Sequence, residues 1–242
     1  MAATTDALLD RLTAAPGEAG LFLDFDGVLA PIVERPEDAY PPAETRAELA
    51  RLVGRYALVA VVSGRAGDDV RARLDVDGVV IVGSHGLELD RQAERWRQQI
   101  ADFAGAASWP PSEIELKGLS VAFHFRHRED EEAAVVELEA LAEIARDEGL
   151  VSRFGRRVLE VLPPVGSNKG TAVRHLLEGA GLTRVLVAGD DTTDLDAFRA
   201  VEDMENRVRV AVLAPESPTE LAGHAELVLG STGEFLELLR RL

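Results

Sequence analysis

Cysteine is absent from the 242 residues, which excludes disulfides, thiol catalysis and cysteine-ligated zinc together. Positive charge is scarce: 26 Lys and Arg face 43 Asp and Glu, a formal net charge of −17. Nucleic acid and anionic membranes are therefore poor partners. The same excess repels anionic small molecules, so a phosphate site must carry its own local positive charge. Long apolar runs are missing as well. Residues 1–20 intersperse Asp6, Asp10 and Arg11 among apolar positions, so neither a signal peptide nor a membrane span is readable. No internal repeat or low-complexity segment stands out. A soluble, cytoplasmic, monomeric protein is the expectation.

What is present in quantity is apolar. A hydrophobic fraction of 46% is ample for a sizeable core, and the length suits one large domain or a core carrying a smaller one. In the first half, short Val/Leu/Ala runs at Leu21–Phe25, Ala57–Val62 and Val79–Val82 predict buried strands, with helices over Ala43–Leu52 and Ala66–Leu74 between them. The alternation returns late, as helix Thr171–Leu177, strand Arg184–Ala188, helix Asp194–Val201, strands Val208–Leu213 and Glu226–Leu229, and helix Glu234–Leu242. Near-continuous apolar strands with helical crossovers imply an α/β fold, a doubly wound parallel sheet covered on both faces. The middle differs. A helix near Arg91–Phe103, strand-like Glu113–Lys117 and Ser120–Arg126, an acidic helix over Glu129–Glu148 and a strand near Arg157–Val161 predict a small α+β unit. The expected organisation is a catalytic core of residues 1–89 and 163–242 with an inserted cap of residues 90–162. The Glu run of the acidic helix reads as a solvated face, since its apolar residues recur at helical spacing.

Four short segments place polar residues where a predicted parallel strand ends or a helix begins. Asp24-Phe25-Asp26-Gly27 follows the first strand and Ser63-Gly64-Arg65 the second; Lys169 opens a helix after Asn168; Gly189-Asp190-Asp191-Thr192-Thr193-Asp194 follows a late strand. In open α/β sheets the carboxyl ends of strands are where chemistry gathers, and a free helix N-terminus attracts anions. A carboxylate pair there can bind a hard cation, attack phosphorus and move a proton. Any one segment has an ordinary explanation as a turn, cap or solvated helix start; their joint order is informative. Competing motifs fail: Lys169-Gly170-Thr171 lacks the Gly-Lys-Thr order and spacing of a phosphate-binding loop, Gly179-x-Gly181 lacks the third glycine of a dinucleotide fingerprint, and His124 with His127 has no cysteine partner.

The set resembles the haloacid-dehalogenase superfamily of aspartate-nucleophile phosphatases and, within it, the trehalose-6-phosphate phosphatases. The trehalose branch is suggested by Gly83-Ser84-His85-Gly86-Leu87-Glu88, by Glu115-x-Lys117-x-x-Ser120-x-Ala122-x-His124-Phe125-Arg126, by Glu160-Val161-Leu162-Pro163, and by Gly189-Asp190-Asp191-x-Thr193-Asp194. The resemblance implies Asp24 as nucleophile, Asp26 as general acid and base, and Ser63 and Lys169 on the phosphoryl oxygens. It implies Mg²⁺ held by Asp24, the Asp26 backbone carbonyl and Asp190, with Asp191 and Asp194 binding directly or through water. Arg65 is a further phosphate or structural contact. A small-molecule sugar phosphate is the implied substrate, its sugar contacted by Glu115, Lys117 and Glu160 from the insert, with His124 and Arg126 suited to the same role, and by Gly83 and Glu88 from the core. The insert is then expected to act as a lid over the sheet rim. One departure is visible: the family usually carries a basic residue where Leu162 stands. Another phosphorylated disaccharide or pseudodisaccharide is therefore an alternative substrate, and a phosphosugar mutase is a separate alternative, since some members of the superfamily with similar lids return the phosphoryl group to sugar. A phospho-receiver domain, which also clusters Asp with Ser/Thr and Lys, is about half this length and has no insert.

Overall fold

A computed structural model describes residues 4–155, 157–214 and 219–242. They form two compact units, one running to Gly86 and resuming at Ser167–Leu242, the other Leu87–Gly166. The first begins with α1 (Thr5–Thr13), β1 (Ala19–Leu23), α2 (Ala43–Val53), β2 (Leu58–Val62), α3 (Gly67–Leu74) and β3 (Val80–Val82). The second holds α4 (Arg97–Ala106), β4 (Ile114–Leu116), β5 (Val121–His124), α5 (Glu131–Asp147), β6 (Val151–Gly155) and β7 (Val158–Leu162). The first unit then resumes with α6 (Lys169–Ala180), β8 (Arg184–Gly189), α7 (Asp194–Ala200), β9 (Asn206–Val212), α8 (Thr219–Gly223), β10 (Leu227–Leu229) and α9 (Thr232–Arg240). No helix among the described residues is long and apolar enough to cross a membrane.

The first unit is a six-stranded sheet in the order β10-β9-β8-β1-β2-β3, every pairing parallel. Alternation along each strand sends side chains to opposite faces, and both faces are covered. Leu21, Leu23, Val59, Val61, Leu186 and Ala188 pack with Leu49, Leu52, Phe235 and Leu238 on one side. Phe22, Ala60, Val62, Val185 and Val187 pack with Val173, Leu177 and Phe198 on the other. Burial on both sides is why these strands read as unbroken apolar runs.

In the second unit the sheet is antiparallel, ordered β4-β5-β7-β6. Val121, Phe123, Leu159 and Val161 face Ile100 and Phe103 of α4 and Leu138 and Ala142 of α5. The opposite parity, including Glu115, Ala122, Glu160 and Arg153, lies in one transverse row: Glu115 pairs with Ala122, Ala122 with Glu160, and Glu160 with Arg153.

Several elements differ from the sequence expectation. The unit starts three residues before position 90 and ends four after position 162, because Leu87, Ala93, Leu119 and Leu162 close a small apolar cluster that Val165 also joins. Leu162, where a basic residue was expected, is thus a packing residue. The strand expected to reach Phe25 stops at Leu23, where the Phe25 N–H turns back to the Asp24 carboxylate at 2.7 Å. The helix expected from Arg91 opens as a 3₁₀ turn over Ala93–Trp96 before α4. β5 ends at His124, leaving Arg126 exposed beyond it. Three elements, α1, α8 and β6, have no counterpart in the expectation. β6 is an edge strand with Val151 and Phe154 half exposed, so no clean alternation announces it.

α6 begins with a capping box. The Asn168 side chain accepts from the Thr171 N–H at 2.8 Å while the Thr171 hydroxyl accepts from the Asn168 N–H at 2.9 Å. This orients the helix that presents Lys169. Asn168→Ala should destabilise the protein by about 1 kcal/mol, read as a lower midpoint in urea with an unchanged m-value; no shift would mean the cap adds nothing.

Candidate active site

Register explains how distant residues meet. β1 lies between β2 and β8, with Leu23 opposite Val61 on one side and Ala188 on the other. Asp24 is the next residue out and Ser63 and Asp190 lie one position further, so all three leave the same carboxyl edge of the sheet, where the Asp24 N–H still donates to the Ala188 carbonyl at 3.0 Å. α6 and α7 add Lys169 and Asp194. All five are buried.

The Lys169 ammonium lies 2.8 Å from an Asp24 oxygen and donates to Asp194 Oδ1 at 2.7 Å. The second Asp194 oxygen accepts the backbone N–H groups of Asp190 and Asp191 at 3.0 and 3.1 Å. Asp24, Asp190 and Asp194 each offer an oxygen within 4.8 Å of the others. Two glycines allow this crowding. Gly27 is in the left-handed region (φ 76°), and a Cβ there would collide with the Asp190 carboxylate; a Cβ at Gly189 would collide with Asp194.

Charge is the central difficulty. Three ionised carboxylates against one ammonium leave two uncompensated negative charges in a buried space. Burial, then the neighbouring Asp24 and Asp194 charges, push Asp190 up to about 9. Burial pushes Asp24 up to about 7, with Lys169 opposing and Asp194 adding to the rise. Burial also works against the Lys169 charge, but the Asp194 and Asp24 carboxylates outweigh it and its pKa rises. An all-oxygen donor set with an excess of two negative charges fits a hard divalent cation such as Mg²⁺.

Other expected residues have partners outside the carboxylate trio. Asp26 turns its carboxylate to Arg65, which donates from Nε at 2.7 Å and Nη2 at 2.8 Å. Arg65 is therefore engaged with two protein carboxylates, Asp26 and Asp69. Asp191 is exposed and its Oδ1 accepts from the Thr192 N–H at 2.6 Å, so its side chain stands outside the carboxylate trio. Gly83 is buried in the turn after β3. Glu88, expected on the core side, is exposed and belongs to the second unit.

On the row across the second unit's sheet, the buried Glu160 carboxylate accepts from Arg153 at 2.7 and 3.0 Å, from the Ser120 hydroxyl at 3.1 Å and from Lys117 at 3.4 Å. His124 Nε2 lies 3.0 Å from Glu115. Arg126, exposed past the end of β5, is outside this cluster. Sequence reasoning missed Arg153, which sits opposite Glu160 in the β6–β7 register; the unrecognised edge strand hid it.

A sequence model of the trehalose-phosphatase family, described as "Trehalose-phosphatase", matches residues 22–226. The chain belongs to the trehalose-phosphatase family. This family member is 32% identical over 263 residues to the trehalose-phosphate phosphatase of Mycobacterium avium, covering 93% of this chain and 67% of that protein. It is 36% identical over 208 residues to an uncharacterized glycosyl hydrolase of Mycobacterium tuberculosis, covering 75% of this chain and only 15% of that protein. The chain thus spans a small part of the latter and about two thirds of the former. Among solved structures, the C-terminal domain of Candida albicans trehalose-6-phosphate phosphatase aligns with TM-score 0.75 at 22% identity, covering 98% and 96% of the two chains. A haloacid dehalogenase-like hydrolase from Bacteroides thetaiotaomicron aligns with TM-score 0.61 at 16% identity, covering 92% and 98%. The fold is therefore that of the haloacid-dehalogenase-like hydrolases.

The raised carboxylates have a consequence for stability. Both fold with a pKa above their ordinary 3.8, so their contribution is complete below that value and is lost as pH rises through 7 and 9. In chelator, the family member's Tm should fall between pH 6 and pH 9, and Asp190→Asn should flatten that fall. Parallel slopes for the two proteins in a pH series of thermal melts would contradict the assignment.

Proposed function

We propose that the protein is a phosphatase that hydrolyses trehalose 6-phosphate to trehalose and inorganic phosphate through an aspartyl-phosphate on Asp24. The observation that carries this reading is the buried Lys169 ammonium shared by Asp24 and Asp194, beside Asp190, at the carboxyl edge of the parallel sheet. The names of the family relatives supply the substrate. Phosphate monoesters are very slow to hydrolyse unaided, so on the order of 20 kcal/mol of barrier reduction is required. A covalent intermediate divides that task.

In the first half, an Asp24 oxygen bonds to phosphorus as the phosphorus–sugar oxygen bond breaks, and Asp26 gives a proton to the departing oxygen. In the second, Asp26 takes a proton from water, whose oxygen bonds to phosphorus and releases Asp24 and phosphate. Ser63 and Lys169 hold the phosphoryl oxygens, with Lys169 set to offset charge developing in the transition state. Mg²⁺, held by Asp24, Asp190, Asp194 and the Asp26 carbonyl, would neutralise the excess carboxylate charge and polarise the phosphoryl group. Asp194 suits this role better than Asp191, given where their carboxylates lie. In the insert, Lys117, Glu160, Glu115 and His124 supply the mixed donors and acceptors that sugar hydroxyls require.

Phosphate release from a panel of phosphorylated mono- and disaccharides, with Mg²⁺ and with chelator, tests the reading. Trehalose 6-phosphate should be the best substrate and chelator should abolish turnover; isomerised sugar phosphate without free phosphate would indicate a mutase instead. Asp24→Asn should eliminate activity, and Asp26→Asn should lower kcat by at least about two orders of magnitude. Lys117→Ala should weaken use of the disaccharide by roughly tenfold or more, while p-nitrophenyl phosphate turnover changes little. Equal losses on both esters would make Lys117 structural.

A further inference from the structure

We propose that Arg65 is a positioning residue for Asp26, holding that carboxylate in place for proton transfer, and is not a ligand of the phosphoryl group. The inference rests on the phosphatase reading above. Four of the five guanidinium N–H donors already have partners: Nε and Nη2 grip the two oxygens of Asp26 at 2.7 and 2.8 Å, Nη2 also donates to the Pro36 carbonyl at 2.9 Å, and Nη1 donates to Asp69 at 3.1 Å. Two carboxylates offset its one charge, and its side chain is only 10% exposed. Gripping a phosphate through two N–H groups would require surrendering at least one of these contacts.

The fork is itself anchored. The Arg65 N–H donates to the Ser63 hydroxyl at 3.1 Å, the Ser84 N–H donates to the Arg65 carbonyl at 2.7 Å, and the His85 N–H donates to the Ser63 carbonyl at 2.8 Å. The guanidinium carbon also lies 5.5 Å from the centre of the Phe25 ring. Asp26, by contrast, has a side chain 38% exposed, and left to itself would sample several rotamers. A two-point grip fixes both the position and the plane of a carboxylate. Because Arg65 leaves the same turn as Ser63, that grip ties the proton-transfer group to the element that carries the phosphate-holding hydroxyl. Displacement by about 1 Å is enough to cost roughly 100-fold in rate.

The test is a double-mutant cycle with Arg65→Gln, Asp26→Asn and the pair, assayed with Mg²⁺ on trehalose 6-phosphate and p-nitrophenyl phosphate, alongside inhibition by inorganic phosphate. Arg65→Gln should lower kcat by roughly 10- to 100-fold with KM and phosphate inhibition nearly unchanged. Added to Asp26→Asn it should cost nothing further, and Arg65→Lys, which keeps the charge but loses the fork, should restore activity only in part. Equal losses from Arg65→Gln in both backgrounds, or tenfold weaker phosphate inhibition, would overturn the proposal. If Arg65→Gln does not fold, as judged by circular dichroism, the same cycle run with Arg65→Lys decides on the same two criteria. A wild-type protein silent on both esters would instead overturn the phosphatase reading, and this inference with it; an active wild type with additive losses overturns this inference alone.

Discussion

One buried ammonium holds the core site together. Lys169 lies within 2.8 Å of Asp24 and 2.7 Å of Asp194, and without it three carboxylates could not share so small a space. Two charges in a low-dielectric setting attract strongly, but only after a desolvation cost that good geometry must offset. Much of the surrounding structure serves that geometry. The capping box sets the start of α6, Asp194 is turned by two backbone N–H groups, and glycines at 27 and 189 leave room for the carboxylates. The ammonium does not complete the charge balance. The remaining excess is the physical reason for a divalent cation, and it is also what a phosphate dianion would otherwise meet as repulsion.

The parallel sheet solves a related difficulty, bringing together residues far apart in the chain. Strands β2, β1 and β8 are adjacent and end within one residue of each other, so Ser63, Asp24 and Asp190 emerge close together despite a separation of 166 positions between the outermost two in sequence (24 to 190). Helix α7 then returns Asp194 to the same edge. Rigidity comes from apolar packing on both faces, which leaves the polar groups at the edge free of any part in holding the sheet.

The second unit uses a different device. An antiparallel sheet with helices on one face carries its polar row on the other, and register lines up Glu115, Ala122, Glu160 and Arg153 across four strands. Lysine is instructive here. The chain has two, Lys117 and Lys169, against 24 arginines, and each is buried or nearly so against carboxylates. A compact ammonium reaches several acceptors from one point, whereas a planar guanidinium matches a single carboxylate in two places. Arg65 on Asp26 shows the second behaviour, whereas both Arg153 donors converge on one Glu160 oxygen.

By itself the sequence determined the fold class, the strand and helix alternation of the parallel sheet, and the candidate residues at its edge, because buried parallel strands leave short unbroken apolar runs and their polar ends stand out. It did not announce α1, the edge strand β6 or the apolar cluster around Leu162. Those depend on partial burial and on contacts between residues such as Leu87 and Leu162 that no local pattern records. Only the tertiary structure decided the pairings: that Arg65 faces Asp26, that Arg153 meets Glu160, that Asp194 and not Asp191 joins Asp24 and Asp190. Residue type and spacing along a chain specify which way a side chain leaves its element; which charge it meets is set by register and by the packing of one element on another.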